Sequence, residues 1–377
     1  MKDNNMKICV LSMQRVPNFG SVLQSYALKK ILNNMGHDVE FLDIQYNKAD
    51  DDLIRNFRSD FSAECQKGGF WSKLKKVDRY AINRIRIKRK SNMQDKVFDD
   101  FVNNILGVAD PKKNYDLCII GSDEVFNCTA DTAWGFTSQL FGNVEQADCV
   151  VTYAASCGST KIDDLPNSVV NKIKEAFSKI SAFSVRDENT EEFVKLITGK
   201  KPERHLDPVI IGDFSSEIKS VNISTKVPKR YCIVYSYYNR INKPEEIKQI
   251  EKFCRKHSLE IVSIGAPQMW IKNHLILTPF EILTAFKNAE FVVTDTFHGT
   301  IFSAKYAKRF VTISRPSNYN KMKSLISDLN IEQHYSTDFS SLEKVYRVID
   351  DKKQIEDLAI QGRYHTVEYL RRVCAQP

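Results

Sequence analysis

Phe291-Val-Val-Thr-Asp-Thr-Phe-His-Gly-Thr-Ile-Phe-Ser303 reads as a buried strand that stops at a histidine and a glycine, where a helix begins. In an open α/β sheet, ligands bind where strands end and helix N-termini point outward. The unsatisfied amides of such a helix start favour an anion. His298 therefore stands where an imidazole can meet a phosphate or a carboxylate. The plainer reading of a histidine at a strand end is a hydrogen-bonded structural residue.

Outward from this stretch the same strand–turn–helix unit recurs. Lys7–Met13 is an apolar run with β character, Asn18-Phe-Gly20 a turn, and Ser21–Met35 a helix whose Val22, Leu23, Tyr26, Ala27, Leu28, Ile31 and Leu32 form a broad apolar face. Strands follow at Val39–Asp43, Tyr115–Asp123, Asp148–Ala155 and Ala182–Val185, with helices at Leu165–Ile180 and after Arg186. A second series opens at Arg230–Ser236 and runs through helix Glu245–His257, strand Glu260–Ile264, a Thr278-Pro279 helix start, Glu290–Thr294 and Arg309–Ile313. Two such series predict an α/β protein of two Rossmann-like, doubly wound domains facing a cleft, the default ligand site. The expected division is 1–180 and 181–377, with a C-terminal helix over 354–373 crossing back. Residues 45–113 break the rhythm and read as a basic helical insertion outside the core layers.

The 377 residues carry a net charge of +8, and the surplus is concentrated: Trp71 to Lys90 hold nine Lys or Arg against one Asp. Such a surface favours anionic partners. Trp71, Leu74, Val77, Ala81 and Ile85 fall at helical spacing among these cations, so the segment predicts either a basic amphipathic helix at an anionic membrane face or a packed helix with a solvated basic side. No nucleic-acid-binding motif accompanies it. No apolar run approaches the ~20 residues that span a bilayer. The nine cysteines include no C-x-x-C pair, which predicts reduced thiols, a cytoplasmic setting and no metal site. His37, His205, His257, His274, His334 and His365 form no cluster in the sequence.

An ordered set of motifs covers most of the chain outside the insertion: Asn18-Phe-Gly-Ser-Val-Leu-Gln24, Tyr115-Asp to Gly121-Ser-Asp123, Tyr153-Ala-Ala-Ser156, Ser184-Val-Arg-Asp187, Asp207-Pro208, Thr294-Asp-Thr-Phe-His-Gly299 and Asn320-Lys321. In this order they resemble the polysaccharide pyruvyl transferases. The resemblance implies a fold like the GT-B glycosyltransferases. It also implies phosphoenolpyruvate as donor, no further cofactor, and a pyruvyl ketal formed on a hydroxyl pair of a bacterial surface polysaccharide or its polyprenyl-diphosphate-linked precursor. The family's donor-binding arginine and histidine fall on Arg186 and His298. Several members carry an arginine two residues before the histidine, where this chain has Thr296.

The chemistry of that reaction assigns further roles. Arginine clamps an anion bidentately, which suits Arg186 at a helix start, although pairing with Asp187 or Glu188 is the plainer alternative. Imidazole is the default general acid for the donor's methylene carbon, which suits His298. Thr296, Phe297, Gly299 and Thr300 complete the expected donor site, with Arg315 as a further source of charge. Asp123, then Glu124, are candidates for the base that activates a sugar hydroxyl, with a helix cap the alternative for Asp123. Asn18, Gln24 and Ser156 are expected at the acceptor, while Asp207, ahead of a proline, reads as a turn former. Two other functions fit the same architecture: a nucleotide-sugar glycosyltransferase, and a non-catalytic module binding anionic polymer or membrane.

Overall fold

A computed structural model describes residues 5–55, 77–130, 132–315, 319–348 and 352–375, and the side chains of these except 77–86, 320 and 321. The first sheet is built from β1 (Lys7–Leu11), β2 (Asp38–Leu42), β3 (Tyr115–Asp123), β4 (Ala147–Ala155), β5 (Ile180–Ala182), β6 (Ser184–Val185) and β7 (Glu203–Arg204), in the order β2-β1-β3-β4-β6-β7 with β5 beside β4. The second holds β8 (Tyr231–Ser236), β9 (Glu260–Gly265), β10 (Asn273–His274), β11 (Phe291–Thr294), β12 (Phe310–Ile313) and β13 (Tyr335–Ser336), in the order β10-β9-β8-β11-β12-β13. All pairings are parallel. Parallel strands are covered on both faces and so run nearly uninterrupted in apolar residues, as Cys118-Ile119-Ile120 and Phe291-Val292-Val293 do. The protein is thus two Rossmann-like α/β halves, the GT-B-like arrangement.

The division expected at residue 180 falls inside the first sheet. Val185 pairs with Ala155 and Arg204 with Val185, so the first sheet continues through Arg204. The apolar Ala182–Val185 segment joins β4 instead of opening the second half.

One continuous core links the halves, because the helix Phe19–Asn34 is apolar nearly all round. It lies on the first sheet and also meets the second half: the Tyr26 ring packs 4.9 Å from Phe280, and its hydroxyl donates to Glu217 Oε1 at 2.7 Å. Two other helices bridge the halves. In Lys352–Cys374, Lys352 Nζ donates to the Ala304 carbonyl, while Tyr369 Oη donates to the Thr152 carbonyl of β4 at 2.7 Å. In Val77–Phe101, Phe98 packs 4.7 Å from Phe19, and the Gln94 carboxamide exchanges two hydrogen bonds with Leu277. The insertion is therefore structural at its C-terminal end: Phe98, Phe101, Val102 and Leu106 are buried in the core. Gln94→Ala should cost about 1–3 kcal/mol in urea unfolding, since it leaves the Leu277 amide and carbonyl unpaired.

Residues 71–76 of the basic segment lie outside the described residues, as do the side chains of Val77, Ala81 and Ile85. Beyond them Lys88 and Arg89 are exposed, whereas Lys90 is drawn onto the second half by the His274 carbonyl at 2.8 Å. Among the described residues, no helix is long and apolar enough to cross a membrane.

Candidate active site

Two helix N-termini meet at His298. The helix Phe297–Tyr306 starts at Thr296, whose hydroxyl accepts the Gly299 amide at 3.0 Å. Gly299 is fixed by close approach: a Cβ there would lie 2.1 Å from Thr294 Oγ1 and 2.6 Å from Tyr235 Cδ1. Opposite, the helix Phe19–Asn34 starts at Asn18, whose carboxamide oxygen accepts the Gly20 amide at 2.8 Å. Gly20 lies directly against the imidazole, and a Cβ on it would stand 2.0 Å from His298 Nδ1. Both helix starts lend positive potential to the contact.

Behind the imidazole is Asp207, fully buried. Its Oδ2 accepts Arg186 Nη1 at 2.7 Å and lies 3.5 Å from His298 Nε2, while its Oδ1 accepts the Val209 amide at 2.9 Å. Burial alone would raise this carboxyl. His298, Arg186 and the Val209 amide override burial and hold it well below the usual carboxylate range. The Arg186 guanidinium also stacks 4.5 Å over the Phe297 ring. At 3.5 Å, His298 Nε2 is an electrostatic neighbour of Asp207 and makes no hydrogen bond among the described residues, and Arg186 Nη2 is likewise buried without an acceptor among them.

Asp207, read from the sequence as a turn former, is thus the charge that joins Arg186 to His298. It does also cap the short helix Pro208–Ile211. The Asp-Pro pair records only this capping, because the partners come from residues 21 and 91 positions away.

The other expected site residues divide. Asp123 is adjacent: its Oδ2 accepts the Ser21 hydroxyl at 2.7 Å and its Oδ1 the Glu124 amide at 2.9 Å, with φ of 78° in the left-handed region. Glu124 accepts Asn127 Nδ2 at 2.8 Å. Phe297 serves as the platform under Arg186. Thr300 is turned away from the cleft, buried on the Thr296 carbonyl and the Thr312 hydroxyl. Gln24 is wholly buried, with Oε1 on the Ser122 hydroxyl, and so offers no acceptor surface. Ser156 donates to Asp187, the cap of the helix Glu188–Thr198. Arg315 is engaged by Glu246 and by Asp295, at 3.1 Å from the latter.

On its open side His298 meets a cavity of about 260 Å³, bordered by Asn18, Asp95, Phe98, Tyr235, Tyr237 and Thr296. The cavity lies at the C-terminal ends of β8 and β9 and at the helix start after β11, where the strand order of the second sheet reverses.

The histidines correct a further expectation. His205 and His365, with Glu203, come within ligand-like range of one another. The two rings are stacked, 4.5 Å between centroids and 26° between planes, so their in-plane lone pairs do not converge on a common ion. Burial, then His365, pushes His205 down to about 4, and burial, then Lys90, pushes His274 down to about 4. Both stay neutral in the native protein while the unfolded chain takes up protons below its ordinary value of 6.5. Stability should therefore fall by roughly 1.4 kcal/mol per pH unit per histidine between about pH 6.5 and 4. Urea titrations across that range check this, and His205→Gln should flatten the slope. The described cysteines are free thiols.

The halves, the cleft between them and a buried cation–carboxylate–imidazole cluster at its floor define a two-domain α/β protein with an anion-suited site. The sequence profile of the polysaccharide pyruvyl transferases matches residues 18–318, and the chain belongs to that family. No curated protein matches the sequence. Among solved structures it is similar to Arabidopsis thaliana UGT89C1 complexed with UDP-L-rhamnose (12% identity, 98% of this chain and 99% of that one, TM-score 0.47). It is also similar to S. aureus MnaA with UDP (12% identity, 99% and 98%, TM-score 0.46) and to a Listeria monocytogenes UDP-N-acetylglucosamine 2-epimerase described as putative (9%, 99% and 98%, TM-score 0.48).

Proposed function

We propose that this pyruvyl transferase uses phosphoenolpyruvate and closes a pyruvyl ketal across two hydroxyls of a glycan, releasing phosphate. Family membership supports the transfer. The observation that carries the donor is the pair of buried nitrogens, Arg186 Nη2 and His298 Nε2, left without hydrogen-bond partners among the described residues on either side of Asp207. A buried donor without an acceptor costs about 1–3 kcal/mol, which a bound anion relieves.

In this reading Arg186 holds the donor's negative charge, with its plane fixed by Asp207 and Phe297. His298 gives a proton to the methylene carbon, and the adjacent carbon becomes open to a hydroxyl oxygen. Thr296 takes the place of a second arginine but is spent on capping the helix, so one guanidinium and two helix starts hold the donor. A lipid-linked acceptor, with the protein at the cytoplasmic face of the membrane, agrees with the basic composition of 71–90.

Titration calorimetry with phosphoenolpyruvate and phosphate release across a panel of aryl and lipid-linked glycosides test this. Arg186→Lys should weaken donor affinity roughly tenfold, because Lys cannot satisfy Asp207 and the donor in one plane. His298→Gln should bind donor but lose turnover. Binding of a nucleotide sugar with none of phosphoenolpyruvate would transfer the assignment to a glycosyltransferase.

A further inference from the structure

Part of the lining of the cavity that His298 borders belongs to the helix Val77–Phe101. Ser91, Gln94, Asp95 and Phe98 recur there at i, i+3, i+4 and i+7, one face of the helix. Gln94 is committed to Leu277, and Phe98 to Phe19. Asp95 differs. It is half-buried and lines the cavity, yet makes no hydrogen bond or ion pair among the described residues. Burial, then the like charge of Asp99, raises its carboxyl above the ordinary value. The same cavity is lined by Tyr235, Tyr237 and Tyr238, the last two 50% and 56% exposed.

Aromatic rings and a carboxylate without a partner among the described residues, lining one cavity, are the chemistry that recognises a sugar. The apolar C–H face of the ring lies on the aromatics, and a hydroxyl donates to the carboxylate. We propose that Asp95 is the acceptor-site carboxylate: it accepts the hydrogen bond of the attacking sugar hydroxyl and takes its proton. The step rests on the phosphoenolpyruvate reading above and balances within it. The methylene carbon gains a proton from His298, and the hydroxyl oxygen bonds to the adjacent carbon as its proton passes to Asp95. The bond from that carbon to the phosphate oxygen then breaks, phosphate leaves, and the second hydroxyl closes the ketal. Asp95 hands on the proton it took, so of the two hydroxyl protons one restores His298, the other leaves on phosphate, and Asp95 ends as a carboxylate. Asp123, the first candidate for that base from the sequence, has its oxygens held by the Ser21 hydroxyl and the Glu124 amide, and in this proposal it positions and does not take the proton.

The test separates binding from chemistry. Saturation-transfer NMR with p-nitrophenyl glycosides is run on wild type, Asp95→Ala and Asp95→Asn, alongside phosphate release from phosphoenolpyruvate. Asp95→Ala should weaken glycoside binding about tenfold or more, the loss of one hydrogen bond to a charged group. Asp95→Asn keeps an acceptor oxygen, so glycoside affinity should stay within about threefold while kcat falls about a hundredfold, with the KM for phosphoenolpyruvate unchanged. Asp95→Glu should recover part of kcat. Unchanged glycoside affinity in Asp95→Ala, full turnover in Asp95→Asn, or no glycoside contact with wild type each overturns the assignment. Glycoside binding that depends on Asp95, without phosphate release by wild type, upholds the sugar subsite and removes the phosphoenolpyruvate reading instead.

Discussion

Gly20→Ala should reduce turnover by about a hundredfold or more while leaving the fold within about 2 kcal/mol of wild type. Gly20 sits in the first turn of a helix, with no left-handed backbone angle, so alanine meets no torsional penalty there and gains up to about 1 kcal/mol in helix propensity. The obstacle is the imidazole: the new methyl would lie 2.0 Å from Nδ1 and 2.1 Å from Cγ of His298. One of the two groups has to move, and overpacking of this kind costs about 1–3 kcal/mol. The ring is the freer partner, because Gly20 is anchored by Asn18 and by its helix. A displaced His298 loses its alignment with Asp207 and the cavity. Phosphate-release assays and thermal melts on one preparation read both effects. Wild-type kcat in Gly20→Ala would mean that the imidazole's position is immaterial to the reaction.

Asp207→Ala should destabilise the protein by about 3–5 kcal/mol, the cost of stranding a buried charge. Arg186 is 8% exposed and Asp207 1%, so neither can recover water in place. The pH dependence has a definite sign. The native carboxyl lies below its ordinary value, so its contribution is fully present above about pH 4 and is lost as pH falls below that. The gap between wild type and variant in urea unfolding should be widest near pH 7 and narrow in acid. Asp207→Asn, which can still accept the Val209 amide, should fall between them. A gap that does not change with pH would show that packing, not charge, is what Asp207 contributes.

Much of the fold was legible because parallel strands and their helices carry strong periodic signals. The stretch around His298, the first helix and the second series of strands fall where the sequence puts them. Local pattern does not report partners across the chain. It showed Asp207 as a turn former and could not show Arg186 and His298 converging on it from two different halves. The same blindness made hydroxyls and amides look like ligand contacts where they serve the framework, as in Thr300, Gln24 and Ser156. The insertion was passed over because its charge masks a sparse set of core residues, Phe98 and Phe101 among them. Asp95 was hidden with it.

The first helix has a mechanical consequence. Tyr26, Phe101, Phe214 and Phe280 form one aromatic cluster whose members come from both halves, and the helices Val77–Phe101 and Lys352–Cys374 cross the same seam. Swinging the halves apart like jaws would wet that cluster, at about 25 cal/mol for each Å² of apolar surface exposed. The molecule is therefore closer to a solid block with a window than to a hinge. On the proposed reading, a glycan would reach the site past Tyr237 and Tyr238, which line the opening, and a blocking compound should be shaped to fill it, since no jaw is there to be wedged.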